Sequence, residues 1–261
     1  MLKIITLALA ALMAVGEVWA AVKTETVDYT QNGTALQGTL AWDDAREGKR
    51  PGVLVAHDWM GEGESAREKA KDLAGLGYVA LAVDIYGKGV RPKDRQEAAA
   101  TAGIYRKDRS LMRARMRAAL DTLRRDPRVD PDRIAGIGFC FGGGAVLELA
   151  RSGADIDGVV SFHGSLDTPT PEDAKSIKAK VLVLHGADDP AAPLSQVMDL
   201  NKEMKEGGVD YQIVLYGHAV HSFTEPKAGN DPSKGSAYEP RADRRSWEAM
   251  RDFLSEVFMA R

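Results

Sequence analysis

Two runs near the start of the chain, Thr24 to Tyr29 and Thr34 to Trp42, flank Gln31-Asn32-Gly33. An Asn-Gly pair between runs of this kind predicts an antiparallel hairpin. From Pro51 onward short apolar runs alternate with amphipathic stretches. Val53 to Ala56 precedes Ala66 to Leu76, and Tyr78 to Val83 precedes a polar stretch and then Ser110 to Arg125. Ile134 to Phe139 leads into Ala145 to Ala150; Gly158 to Phe162 follows, then Val181 to Leu184 with Leu194 to Lys205, and Tyr211 to Leu215 before a terminal helix near Arg241 to Phe258. Strands that are apolar throughout are those buried on both faces. The pattern therefore predicts an α/β fold: a mostly parallel twisted sheet with helices on both faces and an N-terminal antiparallel hairpin.

In open sheets of this type the ligand crevice lies beyond the carboxyl ends of the strands. Those ends read His57-Asp58-Trp59, Asp84-Ile85-Tyr86, Phe139-Cys140, His163-Gly164, His185-Gly186-Ala187-Asp188-Asp189 and Gly217-His218-Ala219-Val220-His221. Nearly all the reactive side chains fall on one edge. Glu225 to Glu239, with Pro226, Gly229, Pro232 and Gly235, reads as a long surface loop able to border that edge.

The first residues change the picture of where the protein works. Met1-Leu2-Lys3, the apolar run Ile4 to Val15 and the exit Gly16-Glu17-Val18-Trp19-Ala20-Ala21 form a basic start, an apolar segment and a small-residue end. This predicts a secretory signal over residues 1–20, cleaved after Ala20 or Ala21, and a periplasmic or secreted protein of one domain over residues 21–261. The alternative, an N-terminal membrane anchor, is opposed by an apolar run shorter than the ~20 residues a spanning helix needs. No stable membrane insertion is expected after cleavage. In 261 residues of 44% hydrophobic content there is apolar material for one large core, and a net charge of −3 without a basic face argues against a nucleic-acid partner. A monomer is expected.

Cys140 is the one cysteine of the chain, set in Gly138-Phe139-Cys140-Phe141-Gly142 between an apolar run and a small-residue stretch. Glycines two residues either side of a nucleophile remove the Cβ atoms that would clash in a sharp strand-to-helix turn. The helix that follows points its positive end at the sulfur, which favours thiolate. The alternative is a buried cysteine acting as a small hydrophobe. A thiol nucleophile needs a base, and His221 follows both Cys140 and the acidic loop, in the order nucleophile, acid, histidine. His218, three residues earlier, competes for the role. Of Asp188 and Asp189, Asp189 is read as the carboxylate that fixes the imidazole and Asp188 as a cap or turn residue. The backbone amides of Phe141 and Trp59 are the expected oxyanion donors. His57, His163 and His185 also end strands, but neither helical His spacing nor a second cysteine supports a metal site, so no metal and no cofactor are expected.

With these residues in place the chain resembles the dienelactone hydrolase family, single-domain α/β-hydrolases with a cysteine, histidine and aspartate triad. The resemblance runs from about Gly38 to the C-terminus and rests on Gly138-Phe139-Cys140-Phe141-Gly142-Gly143, on His185 to Pro193, and on His221-Ser222-Phe223. It implies Cys140 as nucleophile, Asp189 as orienting acid and His221 as base, with the Trp59 and Phe141 amides holding the oxyanion. It also implies a nucleophile-activating carboxylate where this chain has Asp58, one methylene shorter than the family's glutamate. Arginines that grip a substrate carboxylate in the family align with Lys88 and Glu225, so dienelactone itself is disfavoured as substrate. Tyr86, Lys88 and Arg91 remain candidate substrate contacts. The expected activity is hydrolysis of small activated esters or lactones through a thioester acyl-enzyme. The rival is a non-catalytic ligand-binding or thiol-sensing protein on a hydrolase scaffold.

Overall fold

The structure is a computed structural model that describes residues 22–259. The segment read as a secretory signal, residues 1–20, lies outside the described residues. Strands β1 (Val22–Gln31) and β2 (Thr34–Asp43) form the predicted hairpin, and both turn residues, Asn32 (φ 45°) and Gly33 (φ 78°), take the left-handed backbone such a tight turn needs. Strands β3 (Arg50–Ala56), β4 (Val79–Val83), β5 (Val129–Phe139), β6 (Gly158–Phe162), β7 (Lys180–Gly186) and β8 (Tyr211–Tyr216) complete one sheet in the order β1-β2-β4-β3-β5-β6-β7-β8. The β1–β2 and β2–β4 pairs are antiparallel; every other pair is parallel.

Among the described residues six helices cover the sheet: α1 (Glu64–Gly75), α2 (Arg95–Lys107), α3 (Arg109–Arg124), α4 (Phe141–Arg151), α5 (Leu194–Gly207) and α6 (Pro240–Met259). The two-residue alternation of the strands divides the interior. Leu54, Leu81, Val83, Val181 and Val183 face α2 to α5, whereas Val53, Val55, Ala80, Ile137 and Leu184 face α1 and α6. Burying each valine, leucine or isoleucine contributes about 1.5–3 kcal/mol, which is why strands apolar on both faces are held in the middle of the sheet. On α6, Met250, Phe253, Leu254, Val257 and Phe258 recur at helical spacing and close the second face.

Helix α2 lies in the stretch read from sequence as merely polar. Its inward residues are only Ala98, Ala102 and Tyr105, so its apolar face contrasts weakly with its surroundings. Its boundaries are set by side-chain caps instead: Asp94 accepts the Glu97 amide and Asp108 accepts the Leu111 amide at the start of α3. Helix α4, which follows Cys140 without a gap, is anchored at its far end by charge. Buried Arg151 donates to Glu203 of α5 at 2.7 Å and to Glu148 at 3.0 Å. Removing one member of a buried pair costs about 3–5 kcal/mol, so this contact holds α4 firmly against α5.

Candidate active site

Cys140 sits at the junction of β5 and α4 with φ 53° and ψ −115°, a conformation costly for any residue with a Cβ. Its neighbours explain how the turn is reached. A Cβ on Gly138 would lie 2.0 Å from the carbonyl oxygen of Gly142, and one on Gly142 would lie 2.2 Å from that of Ala56. No residue but glycine fits either position. Of the five non-glycine residues with positive φ among the described residues, three (Cys140, His163 and Ser222) line the same cavity, so the strain gathers where the chemistry is expected.

The three residues read as a triad meet at this edge. His221 Nε2 is 3.0 Å from Cys140 Sγ, and His221 Nδ1 is 2.8 Å from Asp189 Oδ2. Asp189 is buried, and its other oxygen accepts the amides of Ala191 and Ala192 at 2.8 and 3.2 Å. The carboxylate is thus fixed before it meets the imidazole. Burial alone would lower the pKa of His221, but the hydrogen bonds it gives to Asp189 and Cys140, and their charges, outweigh burial and raise it to about 10. The competitors stand apart: Asp188 is exposed, and His218 is exposed in a left-handed turn, neither bonded to the triad.

The amide of Phe141 opens α4 and the amide of Trp59 lies in the loop after β3; neither donates to a protein acceptor among the described residues. Both are available to an oxyanion. The Trp59 loop is braced from beneath. Tyr86 Oη donates to the Trp59 carbonyl at 3.0 Å, and Tyr105 Oη donates to the Tyr86 carbonyl at 2.9 Å. His57 is buried against the rings of Tyr86 and Phe141 and bonds through Nδ1 to the Asp58 carbonyl and through Nε2 to the Ile85 amide. A carbonyl only accepts, so His57 carries its proton on Nδ1, and burial pushes its pKa down to about 4.

The cavity at the sulfur is lined by Asp58, Trp59, Ser65, Lys69, Phe139, Cys140, His163, Ser222, Thr224 and Glu225 and encloses about 40 Å³. A larger space of about 320 Å³ between Leu166, Thr168, Gln196, Leu200 and Glu203 holds no nucleophile and lies outside the triad. The candidate substrate contacts Tyr86, Lys88 and Arg91 do not line the cavity at the sulfur. Tyr86 is buried beneath the loop and serves the Trp59 carbonyl rather than the cavity. Lys88 turns outward to Asp28 at 2.9 Å, and Arg91 pairs with buried Glu62 at 2.7 Å. Neither cation lines the cavity, because each has a carboxylate partner elsewhere.

Asp58 does line it, but Oδ1 accepts the Met60 amide at 2.7 Å and no hydrogen bond joins the carboxylate to Sγ. Burial and the nearby charge of Glu225 push its pKa up. The cation that reaches the cavity is Lys69, whose Nζ lies 5.7 Å from the Phe139 ring centre and 5.1 Å from that of Trp247. Sequence reasoning missed it because a lysine within a helix carries no motif. Among the described residues no group of three or more His, Cys, Asp or Glu is placed to hold a metal.

The model of the dienelactone hydrolase family matches residues 36–258. The chain belongs to that family. Among solved structures, m3DLH is 46% identical over 91% of this chain and 99% of its own, with a TM-score of 0.88. A dienelactone hydrolase-like promiscuous phosphotriesterase from metagenomic libraries is 42% identical over 91% of this chain and 99% of its own, with a TM-score of 0.86. Among curated proteins, one from Bradyrhizobium sp named "Probable 2-oxo-3-(5-oxofuran-2-ylidene)propanoate lactonase" is 28% identical over 87% of this chain and 93% of its own length. A dienelactone hydrolase family member with this sheet and hairpin sits among the ester and lactone hydrolases.

Proposed function

We propose that the protein hydrolyses small activated esters or lactones with Cys140 as nucleophile, His221 as general base and acid, and Asp189 as the orienting carboxylate. The observation that carries this reading is the unbroken contact from Cys140 Sγ through the His221 ring to Asp189 at 3.0 and 2.8 Å. The thiolate attacks the carbonyl carbon, and the developing oxyanion is received by the Phe141 and Trp59 amides. The imidazolium gives its Nε2 proton to the leaving oxygen as the carbon–oxygen bond breaks, leaving a thioester on Cys140. Neutral His221 then takes a proton from water, hydroxide attacks the thioester, and the thiolate is expelled with the imidazolium restored.

A lactone suits this machinery because its leaving oxygen stays tethered after ring opening. An enolate leaving group also needs little protonation, which lowers the demand on His221. With about 40 Å³ at the sulfur, the acyl portion is small or projects into solvent. The lactonase name of the Bradyrhizobium relative supports the lactone class. The 42% identity to a promiscuous phosphotriesterase supports a phosphotriester as a second electrophile for the same thiolate. Export to the periplasm or the medium belongs to the proposal on the strength of Met1 to Ala21.

The test is turnover of a p-nitrophenyl ester, a panel of small lactones and a phosphotriester by reduced protein, Cys140→Ala and His221→Ala. Turnover of an ester or lactone that is lost in both variants is the expected result. Binding without turnover in reduced wild-type protein would favour the non-catalytic rival.

A further inference from the structure

His163 ends β6 inside the site and takes no part in the proton transfers described above. Its backbone is left-handed at φ 38°, and its amide donates to the Leu184 carbonyl of β7 at 2.8 Å. Its ring makes two further bonds in opposite directions. The Cys140 amide donates to Nδ1 at 3.2 Å, alongside its bond to the Phe162 carbonyl at 3.0 Å, and Nε2 lies 2.8 Å from Thr224 Oγ1. An amide only donates, so Nδ1 is the bare nitrogen and Nε2–H donates to the threonine. Thr224 is three residues beyond His221.

We infer that His163 is a positioning residue: one imidazole ties the Cys140 backbone to the loop that carries His221 and thereby sets the distance between nucleophile and base. The inference rests on the proposed triad. The ring stands edge-on to His221 at 5.3 Å and to Phe223 at 5.1 Å, so it also fills the space between β6 and that loop. Cys140, His221, His185 and Lys69 surround it, and Asp58 and Glu225 share its cavity. Burial first, then the neighbouring His221 charge, holds its pKa well below the ordinary histidine value. It therefore keeps the bare Nδ1 that the Cys140 amide requires, and puts no second positive charge beside the His221 imidazolium.

Packing alone and positioning are separated by three variants. His163→Phe fills the space but loses both bonds, Thr224→Val removes only the acceptor, and Thr224→Ser keeps it. Because Cys140 is the one thiol of the chain, the rate of its alkylation by iodoacetamide at pH 7 reads the nucleophile without any substrate. Melting by circular dichroism checks the fold. A misplacement of the order of 1 Å costs up to about 100-fold, so we expect His163→Phe to slow alkylation and kcat by about tenfold or more. KM should move by less than about threefold. Thr224→Val should lose in the same direction, and Thr224→Ser should recover most of that loss.

Wild-type alkylation and kcat in folded His163→Phe would overturn the inference. If that variant does not fold, Thr224→Val indistinguishable from wild type in both readouts would overturn it. Wild-type protein that turns over no ester or lactone would sink the proposed function, while the alkylation rates would still judge the strut.

Discussion

Cys140 Sγ stands 3.0 Å from His221 Nε2, although 81 residues separate the two in sequence. The proximity follows from sheet order. Strand β5 delivers the cysteine to the middle of the carboxyl edge, while β8, at the outer end, is followed by a loop that turns back across β7 and β6. That loop is held inward by the His163–Thr224 bond and by pairing of His221 with Ser236.

The elbow tolerates no added carbon. Gly138→Ala would bring a Cβ to 2.0 Å from the Gly142 carbonyl oxygen, within the backbone of the turn itself, where no side chain can yield. Overpacking of this severity should cost at least about 3 kcal/mol. Urea unfolding should give a lower midpoint, and activity should be lost even in the folded fraction. By contrast, Gly33 meets nothing within 4 Å but has φ 78°, so Gly33→Ala should pay only the smaller cost of left-handed backbone.

Asp189→Asn keeps the volume and the acceptor oxygen but removes the charge beside Nδ1. An asparagine presents either an amide donor to Nδ1–H or a neutral acceptor that no longer supports the imidazolium. By analogy with other triads, kcat should fall by roughly 10³- to 10⁴-fold with little change in KM. Steady-state kinetics on whichever ester wild type turns over would check it. A loss under tenfold would remove Asp189 from the catalytic assembly.

Tyr86→Phe removes the hydroxyl that holds the Trp59 carbonyl and leaves the ring packed on Phe141 and Tyr105. Losing that bond should cost about 0.5–1.5 kcal/mol of stability. Because the same loop carries the Trp59 amide proposed as an oxyanion donor, kcat should fall while KM stays near wild type. If Tyr86 touched substrate instead, KM would rise.

Stability should depend on pH through His221. Its folded-state pKa is raised from 6.5 to about 10, so its contribution is complete below about pH 6.5 and is lost as pH rises through about 10. The difference in melting temperature between wild type and His221→Gln should therefore be widest at pH 6 and close by pH 10. His57 runs the opposite way: its pKa is lowered to about 4 by burial, so its contribution is present above about pH 6.5 and lost as pH falls towards 4.

The parallel core was legible because strands buried on both faces must be apolar at every position, and the grouping of Cys140, Asp189 and His221 was legible because all three follow strand ends at one edge of the sheet. What the sequence did not disclose is mainly second-layer support. The strand-ending histidines 57, 163 and 185 have no role in the sequence once a metal site is set aside, yet each bonds to a loop of the site. His57 bonds to the Asp58 carbonyl, His163 to the Cys140 amide and His185 through Nε2 to the Ala192 carbonyl. These three partners are backbone atoms, to which sequence spacing is blind, and only His163 adds a side-chain partner, the Thr224 hydroxyl. The surroundings of Lys88 and Arg91 were hidden for a related reason. A cation near a site in sequence says nothing of the carboxylate that claims it, here Asp28 and Glu62. Helix α2 escaped notice because alanines bury little surface and so leave little pattern.

The measurement that bears most directly on the proposed mechanism is the intact mass of reduced protein quenched in acid during turnover of a slow ester, followed by peptide mapping. A mass increase equal to the acyl group is expected, located on Cys140 and absent from Cys140→Ala, with the adduct accumulating in His221→Ala if deacylation is slowed more than attack. Turnover with no adduct on Cys140 under any quench, or undiminished turnover by Cys140→Ala, would contradict the proposed mechanism.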